Sequence, residues 1–135
     1  MSGHATNRAI AKIAVQDSDA KPYDQAGNPT LIEVSLRETF TGDMDGTSTV
    51  RALQIRYDDG SARMVSVQRF CGKLGDRQGT FVLQGSESID NAEISATWFV
   101  VPSSGTGDLA GLRGEGGFKG EFGKSSTGTL DYWFE

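Results

Sequence analysis

The sequence predicts an all-β protein: a single eight-stranded antiparallel barrel over residues 1–135, with one short helical turn near 108–112. Three observations predict it. Glycine supplies 18 of 135 residues, against a usual share of about 7%, which marks many turns and close backbone approaches. Eight segments rich in β-branched and aromatic residues alternate with turn signals. The connections are mostly short, as in a meander, and closing a meander removes its exposed edges. A β-sandwich is the alternative for such a pattern.

Length and charge narrow the class. A chain of 135 residues suits one domain with its own core. The net charge is −5 and no basic run is present, so neither nucleic acid nor a membrane is an expected partner. The lone Cys71 excludes an internal disulfide and suits a reducing compartment. Met1 to Arg8 has no apolar core of a signal peptide, and no apolar run is long enough for a spanning helix. A cytoplasmic location is therefore expected, with residues 1–7 flexible. A homo-oligomer is left open.

The elements follow in order. The first strand is read from about Arg8 to Gln16, followed by a loop through Asp17, Pro22 and Pro29. The second runs from about Thr30 to Thr41, turned by Asp43-Met44-Asp45-Gly46. The third spans about Thr47–Tyr57 and ends at Asp58-Asp59-Gly60; the fourth spans about Ala62–Leu74 and ends at Gly75-Asp76. The fifth covers about Gln78–Ile89 before Asp90-Asn91, and the sixth about Ala92–Val101. Asp108 is a suitable N-cap for a helical turn to Leu112, which Gly111 and Gly114 stop from extending. The seventh strand is read at about Gly114–Phe122, and the eighth from about Thr127 to the terminus.

Turn chemistry sets the register. Two-residue loops favour Asp-Gly, or Gly at the first position. Loops at Asp59-Gly60, Gly75-Asp76 and Asp90-Asn91 would place Ile55 opposite Met64, Arg51 opposite Gln68, Phe70 opposite Phe81 and Leu83 opposite Trp98. Opposite partners share a face. One face then collects Leu53, Ile55, Tyr57, Met64, Phe70, Phe81, Leu83, Trp98 and Val100.

That apolar face carries polar exceptions. On the second strand Ile32, Val34, Leu36 and Phe40 alternate with polar residues, and Glu38 falls among the apolar set. A loop at Asp45-Gly46 or at Met44-Asp45 makes Glu38 and Arg51 neighbours inside, with Gln68 beyond and Ser66 and Tyr57 nearby. A carboxylate and a guanidinium are seldom buried without partners. The plainer reading is a satisfied ion pair with no chemistry. The functional reading is a polar floor in an apolar pocket, with Glu38 as general base and Arg51 stabilising an oxyanion. Contact with Arg51 would keep Glu38 ionised. Substrate contacts would come from Tyr57, Ser66, Gln68, Phe70, Phe81, Leu83 and Trp98.

Other candidates are weaker. Cys71 falls on the outer face, and His4 is the only histidine, so neither a catalytic triad nor a zinc site is expected. Asp43 with Asp45, and Asp17 with Asp19 and Asp24, lack the calcium-loop pattern and read as solvated turns. The Ser103–Gly107 loop lacks the Gly-Lys-Ser/Thr of a phosphate loop and reads as a plug for one barrel end. No metal or cofactor is expected.

The series Tyr23-Asp24, Phe40-Thr41-Gly42-Asp43, Arg69-Phe70, Gly79-Thr80-Phe81-Val82-Leu83-Gln84, Val100-Val101-Pro102, Gly111-Leu112-Arg113-Gly114 and Leu130-Asp131-Tyr132 resembles a bacterial family known only as a domain of unknown function. The resemblance covers the chain from about Lys21 onward and implies an allene-oxide-cyclase-like β-barrel. It implies no shared activity, and acidic residues are common in that family where this chain has Arg51 and Gln68. Two functions follow as expectations: a cofactor-independent isomerase or cyclase for a small apolar or amphipathic molecule, or a carrier that holds such a molecule without turnover. A filled, purely structural barrel is a third.

Overall fold

The structure, a computed structural model, describes residues 6–121 and 124–135. Eight strands follow in order: β1 (Asn7–Asp24), β2 (Thr30–Gly42), β3 (Met44–Arg56), β4 (Ala62–Leu74), β5 (Arg77–Asp90), β6 (Glu93–Val100), β7 (Leu112–Glu121) and β8 (Ser126–Phe134). Each pairs with the next and β8 pairs antiparallel with β1, so the meander closes into a barrel. His4, most of the expected flexible stretch 1–7, and Phe122 at the expected end of the seventh strand lie outside the described residues; Asn7 already belongs to β1.

β1 corrects the reading that ended it near Gln16. It continues through the polar stretch to Asp24, pairing with β2 as far as Leu31 across two irregularities, at Val15/Asp17 and Pro22/Asp24. β8 covers only Asn7–Ile13. Pro22 is tolerated because its missing N–H falls where β1 has β2 alone as partner. The expected helical turn at 108–112 is a 3₁₀ turn at Gly107–Leu109, and Leu112 already starts β7. Its Leu109 is fully buried in the core. Thr106 accompanies it by donating its N–H to Thr80 O at 2.9 Å. A Cβ on Gly79 would lie 2.0 Å from the Thr106 carbonyl oxygen, so only glycine lets this segment cap the barrel end against β5.

Four turns decide which side chains face inward. At Gly75-Asp76 the reading holds: Phe70 faces Phe81 and Gln68 faces Leu83. Between β5 and β6 the loop is Asn91-Ala92, with φ of 50° and 66°, the left-handed pair of a type I′ turn. Leu83 consequently faces Val100 rather than Trp98, a slip of two that preserves every face. Between β3 and β4 the loop has three residues, Asp58-Asp59-Gly60. Tyr57 N–H donates to Ser61 O at 2.9 Å, and Gly60 takes the left-handed position at φ 88°. Met64 therefore faces Gln54, and Val67 faces Arg51. A slip of one turns β3 over. Ser48, Val50, Ala52 and Gln54 are buried, while Arg51, Leu53 and Ile55 point outward.

The β2–β3 connection is neither of the hairpins read from the sequence. The chain reverses at Asp43, so Glu38 faces Ser48 and Ser35 faces Arg51. Asp43 earns this corner with three bonds to neighbouring strands and turns: its N–H to Ile10 O at 3.0 Å, its carbonyl from Gly75 N at 2.8 Å, and its Oδ2 from Ile10 N at 2.9 Å. Asp43 is thus an exposed turn residue, as read, that also clamps the neighbouring strand and turn.

Two apolar clusters fill the lumen. The larger holds Phe40, Met44, Phe70, Leu74, Phe81, Trp98 and Leu109 among others. The smaller holds Ile32, Val34 and Ala52, with Leu36 and Met64 against them. A polar layer lies between the two.

Candidate functional site: a carboxylate pair in the barrel lumen

Alternation along each strand builds the layer. On β2, Glu38 sits between Leu36 and Phe40 on the inward side; on β4, Ser66 and Gln68 sit between Met64 and Phe70. On β5, Glu87 takes the inward parity of Phe81, Leu83 and Ile89. β3 adds Ser48, opposite Glu38; Gln54 lies farther along β3, opposite Ile32 and Met64 of the smaller cluster. Ser48, Gln54, Ser66, Gln68 and Glu87 are all buried, and Glu38 is half-buried.

The hydrogen bonds leave the acids incompletely satisfied. Ser48 Oγ donates to Gln68 Oε1. Ser66 Oγ donates to Glu87 Oε2 at 2.7 Å. Among the described residues, Glu87 Oε1 is buried without a hydrogen-bond partner, and no ion pair reaches Glu38 or Glu87. Burial pushes the Glu38 carboxyl up to about 7, and the nearby Glu87 carboxylate adds to the rise. Burial also raises Glu87, against the opposing bond from Ser66. Two carboxyls in one apolar lumen cannot both ionise cheaply.

The expected Glu38–Arg51 couple does not form. Glu38 faces inward as read, but Arg51 lies on the exposed outer face, because β3 is turned over. The expectation that Arg51 keeps Glu38 ionised fails with it. Arg56, exposed at the end of β3, donates to Gln54 Oε1 at 2.9 Å and not to Glu38. Tyr57 belongs to the β3–β4 turn, beside Asp59, Ser61 and Arg63. Ser66 and Gln68 do reach the layer. Phe70, Phe81, Leu83 and Trp98 lie in the larger apolar cluster. There the Phe70 and Phe81 rings are 5.1 Å apart, and Trp98 Nε1 donates to Thr129 O at 2.9 Å.

Sequence reasoning missed Glu87, Ser48 and Gln54. Glu87 was legible from the alternation of β5. The other two needed the β3 register. Cys71 is free and exposed, in agreement with the reading. Among the described residues no group of His, Cys, Asp and Glu is placed to hold a metal ion, and no helix is long and apolar enough to cross a membrane.

The fold and the layer define a class: a closed, eight-stranded antiparallel barrel with a pair of carboxyls in its lumen. Residues 9–135 match the family model described as "Protein of unknown function (DUF3224)", and the chain belongs to that family. It is also similar to the crystal structure of a DUF3224 protein of unknown function from Shewanella oneidensis MR-1. The two share 27% identity and a TM-score of 0.78, over 97% of this chain and 99% of that one. No curated protein matches.

Proposed function

We propose that this barrel binds a small apolar or amphipathic molecule at the Glu38–Glu87 layer and that Glu38 exchanges a proton with it. The carrying observation is the pair itself: two inward carboxyls without a cation among the described residues, one of them held near pH 7. A group that titrates near the working pH can both take and return a proton. Glu87 Oε1, unbonded among the described residues, is an acceptor for a ligand hydroxyl or amine. On the inward parity around the layer, Leu36, Glu38, Met64, Ile94 and Ala96 are only half-buried, which favours entry at this end over the aromatic end. Turnover in this site would be a proton shift, as in a cofactor-independent isomerase or cyclase, with the walls holding one reactive conformer.

A carrier that never turns its ligand over is the second reading. It is favoured by the packed rings of Phe40, Phe70, Phe81 and Trp98, which leave the polar layer alone to address a ligand. The test has two parts. Carboxyl NMR should find Glu38 titrating near 7; a midpoint near the usual carboxylate value removes the proton-transfer role. Native mass spectrometry of protein purified from its own host should show a retained small molecule that Glu38→Gln and Glu87→Gln weaken. A ligand held equally by both variants places binding elsewhere. If it is turned over, Glu38→Gln should slow the reaction by about a hundredfold or more, whereas a carrier loses affinity only.

A further inference from the structure

The turned-over β3 places an arginine face on the outside of the barrel. Outward on β3 stand Thr47, Thr49, Arg51, Leu53 and Ile55; on β4, Arg63, Val65, Val67, Arg69 and Cys71; on β5, Thr80, Val82, Gln84, Ser86 and Ser88. Acids reach this face only at its borders: Asp45 and Asp90 at the ends of β3 and β5, and Glu33 of β2, which faces Leu53. Elsewhere the arginines are engaged. Arg8 pairs with Asp131, Arg37 with Asp17 and Arg113 with Glu135. Arg56 donates to Gln54, and Arg77 stacks on Phe134. Among the described residues Arg51, Arg63 and Arg69 have no such partner, and all three lie on this face.

Two of them share a groove. Arg51 faces Val67 and Arg69 faces Thr49, so the two guanidinium stems are diagonal neighbours across the β3–β4 ladder, about 7–8 Å apart at the backbone. Both line a groove of about 540 Å³, together with Thr47, Thr49, Val67 and Val82. The next row of the same face is apolar: Leu53 is opposite Val65, and Leu53, Val65 and Val67 are each at least half exposed, at 50%, 58% and 53%. Planar guanidinium forks match a carboxylate with two parallel bonds. Threonine hydroxyls beside them add donors, and exposed valine and leucine offer apolar contact to an alkyl chain.

We propose that this outer groove binds an amphipathic carboxylate, with Arg51 and Arg69 clamping the head group and Val67, Leu53 and Val65 lining the tail. The site is separate from the lumen and independent of the proton role of Glu38. Decanoate is the probe, titrated against methyl-labelled protein, with decanol and acetate as controls. Decanoate should shift the Val67 and Val82 methyl resonances and leave the Trp98 indole N–H unmoved. Each of Arg51→Gln and Arg69→Gln should weaken binding about tenfold, because a hydrogen-bonded charge pair is lost. Decanol and acetate should each bind far more weakly, since each lacks one half of the match. These exposed substitutions leave the barrel folded, which circular dichroism checks. The proposal is overturned if decanoate does not bind, if both variants bind it as the wild type does, or if decanol binds equally well. Shifts confined to Trp98 and the lumen also overturn it, as does binding to phosphatidylglycerol vesicles without binding of free decanoate.

Discussion

The two halves of the lumen are built from the same alternating strands but answer to different physics. At the aromatic end the rings of Trp98, Phe40, Phe70 and Phe81 form a chain of contacts, successive centroids 6.3, 5.3 and 5.1 Å apart. Trp98, the ring with a polar group, gives its N–H to Thr129 O. Further along the same strands, β2 and β5, Glu38 and Glu87 also point inward and lack counter-ions among the described residues. The first region stabilises the fold by removing apolar area from water. The second costs stability whenever a carboxyl ionises, since a charge in an apolar lumen has lost its hydration. Fully satisfied polar groups mark the scaffold, and incompletely satisfied ones mark the candidate site.

The sharpest way to break that contrast is to empty the aromatic end. Phe70→Ala removes a fully buried ring and should cost about 3–5 kcal/mol, read from urea unfolding. A loss below about 1 kcal/mol would mean that this end is not the scaffold.

Protonation probes the other half. Burial and the nearby Glu87 push the Glu38 carboxyl up to about 7 in the folded protein, from its ordinary 4.5. The folded state therefore holds a proton that the unfolded chain has released. Stability should be fully present below about pH 4.5 and fall as pH rises through about 7. The loss is about 2 kcal/mol for a group that keeps some solvent contact. Glu38→Gln, which cannot ionise, should flatten that slope in denaturant midpoints measured across pH. An equal slope in both proteins would assign the loss to another group. Glu87→Gln should lower the Glu38 midpoint by removing a like charge, with burial still holding it above the usual value.

Gly85 ties Glu87 to the packing around it. A Cβ there would come within 2.7 Å of Glu87 Oε2 and 3.1 Å of Ser66 Oγ. Gly85→Ala should displace the Ser66–Glu87 bond and cost about 1–2 kcal/mol. It should also move the Glu87 carboxyl resonance, which a mere backbone effect would leave in place.

The smallest effect concerns Arg51. Its outward position means that Arg51→Gln should change stability by less than about 0.5 kcal/mol and leave the Glu38 titration where it was. A moved titration would restore Arg51 to the lumen and overturn the β3 register.

Much of this architecture was legible before any coordinates. The eight strands, their sequential pairing, the inward parity of Glu38, Ser66 and Gln68, and the plug before β7 follow from alternation and turn residues. The partner of Glu38 was not legible. Leu53 and Ile55 made the odd positions of β3 look like its core face, while the true inward set includes Ser48 and Gln54. Hydrophobicity therefore voted for the wrong side of one strand. The error at Asn91-Ala92 had no such consequence, because a slip of two residues leaves every side chain on its face.

By itself the sequence determined what depends on local chemistry: where strands begin and turn, which residue types alternate, and that a carboxylate points into an apolar barrel. Only the tertiary structure decided which groups meet that carboxylate. The identity of a cross-strand neighbour rests on the residue count in each turn. The choice between a two-residue and a three-residue loop at Asp58-Asp59-Gly60 was settled by closure of the whole barrel, where all eight ladders must be satisfied at once.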